Sequence, residues 1–211
     1  MYNDARATKE AARMAAIAPA ECGAHSASSA LAKLLHLLGR GEVGAARHAV
    51  AQADWIAGRL AERHGVSDEN NALKLGYDPV ARAWPAWLDR LGVPRDLLPE
   101  VMVPGTPFAD VGPSVARMLG LSPRARIAAG TTDGVAAFIA TRADTPGDAV
   151  TSLGTTLVVK LLATQPIFAP HQGVYSHRLG DRWLVGGASN SGGAALSMHF
   201  TAAEMERLTP Q

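Results

Sequence analysis

The spacing of apolar side chains along the chain changes from a helical period in the first half to strand-like runs in the second. In the stretch "SASSALAKLLHLLGRG" four leucines recur at i, i+3, i+4 and i+7: Leu31, Leu34, Leu35 and Leu38. This pattern predicts a helix that ends at Gly39 and is capped by Ser26, Ser28 or Ser29. Similar reasoning predicts helices over 8–18, over 43–63, and from about Pro85 to Gly92.

Beyond residue 125 the pattern is typical of β-strands separated by turn residues. The predicted strands are 125–130, 148–153, 156–163, 173–179 and 182–188. Gly180 and Asp181 predict a hairpin between the last two, and a helix is expected again over 189–200. The composition changes near 145–147, so we predict one domain over 1–145 and a second over 146–211.

Three polar, glycine-containing turns each follow a predicted strand. The first is "AGTTDG" at 129–134, where an acid, Asp133, stands between a strand and a helix. A helix N-terminus attracts anions, but aspartate is also a preferred capping residue, and position alone favours the cap. An anion-binding site at this helix N-terminus is the alternative.

The other two turns are "TSLGTT" at 151–156 and "GGASNSGGA" at 186–194. Each is able to present backbone N–H groups to a phosphate, and each also fits an ordinary tight turn. Neither matches the dinucleotide-binding or P-loop motif. Three such turns close together in sequence indicate a phosphate-handling cleft more strongly than any one of them alone.

Composition excludes several classes of protein. Hydrophobic residues make up 47% and charged residues 18% of the 211 residues, which is enough for a packed core. The net charge of +1 and the lack of basic runs argue against nucleic acid as a partner. Cys22 is the single cysteine, and no histidine pair has metal-ligand spacing, so we expect a reduced, cytoplasmic protein with no membrane partner.

Several stretches together resemble the FGGY carbohydrate kinases, and within them the pentulose kinases of the D-ribulokinase and xylulokinase type. The matching stretches span most of the chain in order and include "MYNDARA", "SDENNALKLGYDP", "AGTTDGVAAFIA", "AVTSLGTTLVVKLL" and "WLVGGASNSGGAAL". The resemblance implies an α/β protein with the actin/hexokinase-type ATPase (ribonuclease H-like) fold. It implies that ATP, with its Mg²⁺, and a ketopentose, D-ribulose or D-xylulose, bind between two domains.

The resemblance also implies roles for individual residues. Asp133 falls on the catalytic aspartate, which contacts the sugar and takes the proton of its hydroxyl group. The remaining positions are Tyr2 and Asp4 near the sugar, Gly154, Thr155 and Thr156 at the ATP phosphates, and Asn190, Gly192 and Gly193 facing the nucleotide. No protein metal ligands are implied, since Mg²⁺ arrives with ATP.

The chain lacks two segments of the family pattern, and one of them is the late glycine-rich adenine segment. The Asp-x-Gly-Thr hairpin of the first domain is absent, because the residues two positions before the Gly of each Gly-Thr pair are not aspartate. The resemblance therefore implies an incomplete fold: the helical latter part of domain one and the opening β-sheet of domain two. We expect this chain alone to be inactive and marginally folded. Two alternative interpretations stay open: a non-catalytic remnant of such a kinase, and an ATPase or binding module of the same fold superfamily. Assembly into a homo-oligomer also stays open.

Overall fold

The computed structural model describes residues 4–169, 172–189 and 192–209. The chain divides into two compact units, Met1–Ala136 and Ala137–Gln211. The division falls inside a helix, α7, which runs over Asp133–Ala140. The functional boundary predicted between residues 145 and 146 stays a prediction.

Helices and their connecting segments build the main core of the first unit. The helices are α1 (Thr8–Ala15), α2 (Ala30–Gly39) and α3 (Gln52–Ala61). Ser29 is the cap of α2, because its hydroxyl accepts a hydrogen bond from Ala32 N at 3.1 Å. The predicted leucine face of α2 is confirmed, since Leu31, Leu34 and Leu35 are buried in this core.

The prediction of one helix over 43–63 is wrong for residues 43–51. Only α3 is helical there, and residue 49 lies outside it, donating its N–H to Leu97 O at 2.7 Å. The alanines in this stretch have high helix propensity, but a long-range hydrogen bond and packing override that preference. The helix ends at Glu62, whose φ of 52° is left-handed.

Two small sheets carry the loops of the first unit. β1 (Val66–Asp68) pairs in parallel with β2 (Glu100–Met102), and α4 (Glu69–Ala72) follows β1 directly. β3 (Pro107–Asp110) pairs antiparallel with β4 (Arg126–Ala128), the strand predicted from "ARIAAG". Two helices, α5 (Trp87–Arg90) and α6 (Pro113–Leu119), complete this unit together with the first part of α7.

The second unit contains a four-stranded antiparallel sheet in the order β5-β6-β8-β7. Its strands are β5 (Ala149–Leu153), β6 (Leu157–Ala163), β7 (Tyr175–Leu179) and β8 (Arg182–Ser189). The predicted hairpin is confirmed, and Gly180 adopts a left-handed φ of 62° in its turn. Instead of one helix over 189–200, two short helices follow, α8 (Gly193–Ser197) and α9 (Ala202–Leu208).

The helices of this chain are short. In the part of the chain that the structure describes, no helix has the length and apolar character needed to cross a bilayer.

Candidate functional site

Asp133 is the first residue of α7 and is exposed, whereas the capping hydrogen bond belongs to its neighbour. The Thr132 hydroxyl accepts from Val135 N at 3.4 Å, and Thr132 O accepts from Ala136 N at 2.9 Å. The Asp133 carboxylate accepts a hydrogen bond from Gly134 N at 2.7 Å, a contact between adjacent residues that caps no helical turn. The carboxylate is therefore not required as the cap of α7, although its position alone favours that role.

The loop before Asp133 is fixed at its start by main-chain hydrogen bonds to the two residues just before β3. Ala129 N donates to Thr106 O at 2.9 Å, and Gly105 N donates to Ala129 O at 2.8 Å. Among the described residues, no atom lies within 4 Å of the position of a Cβ atom at Gly130. The loop thus leaves β4 in a fixed direction and reaches Asp133 through Gly130, Thr131 and Thr132.

A buried polar cluster lies at the end of β1 and the start of α4. Asp68 is fully buried and accepts hydrogen bonds from Asn70 N at 2.8 Å and Asn71 N at 3.0 Å, which makes it the cap of α4. Asn70 is also buried, and its Nδ2 donates to Thr131 Oγ1 at 3.0 Å. This side-chain bond connects the cluster to the loop that carries Asp133.

Asp54 of α3 adds a second buried acid near the same loop. Burial raises the pKa of Asp54 to about 6, although hydrogen bonds from Ser67 Oγ at 2.7 Å and Ala51 N at 3.0 Å favour its ionised form. Burial also raises the pKa of Asp68. A small cavity of about 70 Å³ separates Asp54 and Ser67 from Gly130.

An ion pair joins the cluster to an exposed turn. The Glu69 carboxylate is 3% exposed and lies 2.6 Å from Arg82 Nε, whose side chain is 43% exposed. Arg82 has a left-handed φ of 51°, which is unfavourable for a residue with a Cβ atom. The buried carboxylate thus has a charged partner, as burial of an ionised group requires.

Sequence reasoning assigned no chemistry to this cluster. Successive polar residues such as those of "SDENN" are typical of exposed loops. The structure instead buries Ser67, Asp68, Glu69 and Asn70. One signal was present: Asp68 precedes a short helical stretch at a distance that suits a cap.

In the second unit the structure brings two of the predicted glycine turns together. Gly154, Thr155 and Thr156 form the exposed turn between β5 and β6. Gly193 N donates to Gly154 O at 2.6 Å, and Ala194 N donates to Thr155 O at 3.3 Å. The start of α8 therefore holds the 154–156 turn through its main chain.

Gly192, the residue before this contact, has no room for a side chain. A Cβ atom at Gly192 would lie 2.3 Å from the carbonyl carbon of Thr156 and 2.5 Å from Leu157 N. Both neighbours are backbone atoms, so no side-chain movement relieves the collision. Within the described segments, the N–H groups of Thr155 and Thr156 donate no main-chain hydrogen bond.

The remaining predicted site residues lie at the chain's N-terminus or outside the described residues. Tyr2 and Asn190 lie outside the described residues. Asp4 forms an ion pair with Arg6, with Oδ2 2.8 Å from Arg6 Nη2, and this hydrogen bonding lowers the pKa of Asp4. In the described ranges, no group of three or more His, Cys, Asp and Glu residues is arranged to hold a metal ion.

No protein-family model matches the chain. In sequence it is 25% identical over 122 residues to gluconokinase from Bacillus subtilis (strain 168), an alignment that covers 56% of this chain and 24% of that protein. It is 24% identical over 119 residues to gluconokinase from Bacillus licheniformis, covering 54% and 23%. The alignments thus cover about a quarter of the length of these curated relatives.

Solved sugar kinases share its fold over nearly all of its length. The xylulose kinase from Rhodospirillum rubrum superposes with a TM-score of 0.84 at 21% identity, covering 94% of this chain and 42% of that protein. The gluconate kinase from Lactobacillus acidophilus gives 0.81 at 22% identity, covering 94% and 43%. These likenesses confirm, at the level of the fold, the resemblance to FGGY carbohydrate kinases: the chain carries part of the actin/hexokinase-type ATPase fold.

Proposed function

We propose that this chain belongs to an ATP-dependent carbohydrate kinase in which Asp133 is the general base. The observation that carries the proposal is the exposed Asp133 carboxylate at the start of α7, with Thr132 in the capping role, on the fold of sugar kinases. An exposed acid whose helix is capped by the neighbouring threonine is available for chemistry.

The chemistry suits these residue types. Asp133 accepts the proton of a sugar hydroxyl as its oxygen bonds to the γ-phosphorus of ATP; the bond from that phosphorus to the bridging oxygen breaks, and ADP leaves. Phosphoryl transfer depends on positioning and charge stabilisation more than on covalent catalysis. When bound with ATP, Mg²⁺ supplies positive charge at the phosphates.

The phosphates of ATP are assigned to the turn of Gly154, Thr155 and Thr156. Its main-chain N–H groups and two hydroxyls are hydrogen-bond donors of the kind that bind phosphate. Support for this assignment comes from the main-chain contacts of Gly192 and Gly193 with the turn. Asn190 belongs to the same proposed nucleotide side, and Tyr2 and Asp4 to the proposed sugar side.

Two classes of sugar substrate are candidates. The resemblance of the sequence to pentulose kinases favours a ketopentose, D-ribulose or D-xylulose. The sequence likeness to two gluconokinases favours a sugar acid, gluconate, as a second candidate. Release of ADP, measured with each of these three sugars and with ATP alone, separates them; ADP release that needs no sugar would instead indicate an ATPase.

Asp133→Asn in the full-length protein tests the catalytic assignment. The amide keeps the size of the side chain but does not accept the proton, so kcat is expected to fall by about 10²–10⁴-fold. ATP affinity, measured by calorimetry, is expected to stay within a few-fold, since the phosphate turn is untouched.

The matched control is Thr132→Ala, which removes the hydroxyl that caps α7. It is expected to lower the free energy of unfolding by about 1 kcal/mol. An Asp133→Asn protein that keeps its kcat and loses stability instead would show that the acid is structural, and the assignment would be withdrawn.

A further inference from the structure

We propose that Asn70 is a positioning residue for the loop that carries Asp133, an inference that rests on the function proposed above. Asn70 is the second residue of α4 and is 1% exposed. Its Nδ2 donates to Thr131 Oγ1 at 3.0 Å, across 61 positions of sequence. Thr131 precedes Asp133 by two residues, so this bond fixes the chain close to the acid.

The donor itself is held firmly. Asp68 accepts the main-chain N–H of Asn70, and its other oxygen accepts Asn71 Nδ2 at 2.6 Å. Asp68 is fully buried at the end of β1, which pairs with β2. The position of the Asn70 amide is therefore set by a strand and a capped helix rather than by a mobile surface segment.

The acceptor, Thr131, lies between two points at which main-chain hydrogen bonds hold the loop. Main-chain hydrogen bonds hold the loop at Ala129, next to the start of β3, and again at Thr132, which immediately precedes α7. In the described part of the chain, neither Gly130 nor Thr131 makes a main-chain hydrogen bond between these two points. The Asn70 side chain thus supplies the constraint that the backbone lacks.

The expected consequence is catalytic because a general base must meet its hydroxyl at hydrogen-bond distance. A displacement of about 1 Å in a reacting group costs about 10²-fold in rate. Release of Thr131 is expected to shift the Asp133 carboxylate on this scale while leaving the phosphate turn of the second unit unchanged. The loss then appears in kcat rather than in the KM for ATP.

Paired substitutions in the full-length protein test the proposal. Thr131→Val keeps the shape of the side chain and removes the acceptor, whereas Thr131→Ser keeps the acceptor. We expect kcat to fall about 10- to 100-fold in Thr131→Val and in Asn70→Leu, whose side chain is of similar size and makes no hydrogen bond. We expect near-normal kcat in Thr131→Ser. Thr141→Val, which removes a hydroxyl bonded to Phe138 O outside this loop, is the control for loss of a threonine hydroxyl.

A second readout does not depend on activity. Hydrogen exchange of the amides of residues 130–134 in the full-length protein is expected to be faster in Thr131→Val than in Thr131→Ser. Exchange in α2 is expected to be unchanged. Equal exchange and equal kcat in the two variants would overturn the positioning role.

The outcomes also separate this inference from the proposed function. Normal kcat in Asp133→Asn overturns the proposed function, and the positioning role with it. An inactive Asp133→Asn together with normal kcat in Thr131→Val overturns the positioning role alone. Thr131→Val added to Asp133→Asn is expected to cause no further loss, because the loop would then hold no base.

Discussion

At Gly192, the addition of a single methyl group is expected to disturb the candidate phosphate turn. Gly192→Ala places a methyl group against the main chain of Thr156 and Leu157. Since backbone atoms have to move, we expect a loss of about 1–3 kcal/mol in the free energy of unfolding and weaker ATP binding. Urea denaturation and calorimetry measure the two effects.

Gly39→Ala is the matched control for that substitution. No atom lies within 4 Å of a Cβ atom at Gly39, and the residue ends a helix with no left-handed φ. We expect its effect to be neutral, or stabilising by up to about 1 kcal/mol. Equal effects of the two substitutions would contradict a role for Gly192 in close backbone contact.

Site residues that belong to a local sequence motif could be predicted from the sequence. Residues whose role depends on contacts with distant segments could not. The glycine turns and Asp133 belong to motifs of consecutive residues. In the structure, a hydrogen bond between Gly193 and Gly154 joins two of those turns. Asn70 has no local signature, because its partner Thr131 is 61 positions away. The same holds for the pairing of Asp54 with Ser67.

At the scale of elements, the first unit has a pH-dependent stability built into the contact of α3 with β1. Burial raises the pKa of Asp54 to about 6, above its ordinary value, so the folded state holds this proton more tightly than the unfolded chain. The resulting stabilisation is complete below about pH 4 and is lost as the pH rises to about 6. A shift of about two units corresponds to about 3 kcal/mol.

Asp54→Asn is expected to remove this dependence. From pH 4 to pH 7 the free energy of unfolding of the variant, measured in urea, should gain by up to about 3 kcal/mol relative to the unsubstituted protein. Asp110→Asn, at an exposed position of β3, is the control and should show no such trend. A constant difference for Asp54→Asn across this pH range would show that burial does not perturb this carboxyl.

Elements with a clear period were predicted well, whereas several of the short strands were not. α2 and the strands β5 to β8 have regular patterns of apolar residues. Such patterns arise when one face of an element packs against the core. β1, β2 and β3 have three or four residues each, too few for a period to emerge. Their existence depends on pairing with distant segments, as in the contact of Val66 with Glu100.

At the scale of the whole chain, two features favour association between copies. The net charge of +1 supplies little electrostatic repulsion between molecules. In the second unit, one face of the sheet carries Leu157, Val159 and Leu161 around a cavity of about 310 Å³, and Val159 is 42% exposed. In the described part of this sheet, β5 and β7 are edge strands that each pair on one side only.

We therefore expect the 211-residue chain to self-associate as its concentration rises, in a way that this sheet face controls. Val159→Lys places a charge on the apolar face and should shift the sedimentation profile toward monomer. Ser152→Lys adds the same charge at an exposed position of β5 that alternates to the opposite face of the sheet, so it separates the effect of the face from that of net charge. If both variants lower association equally, charge alone is responsible; if the unsubstituted chain is a monomer at every concentration, the exposed face does not drive association.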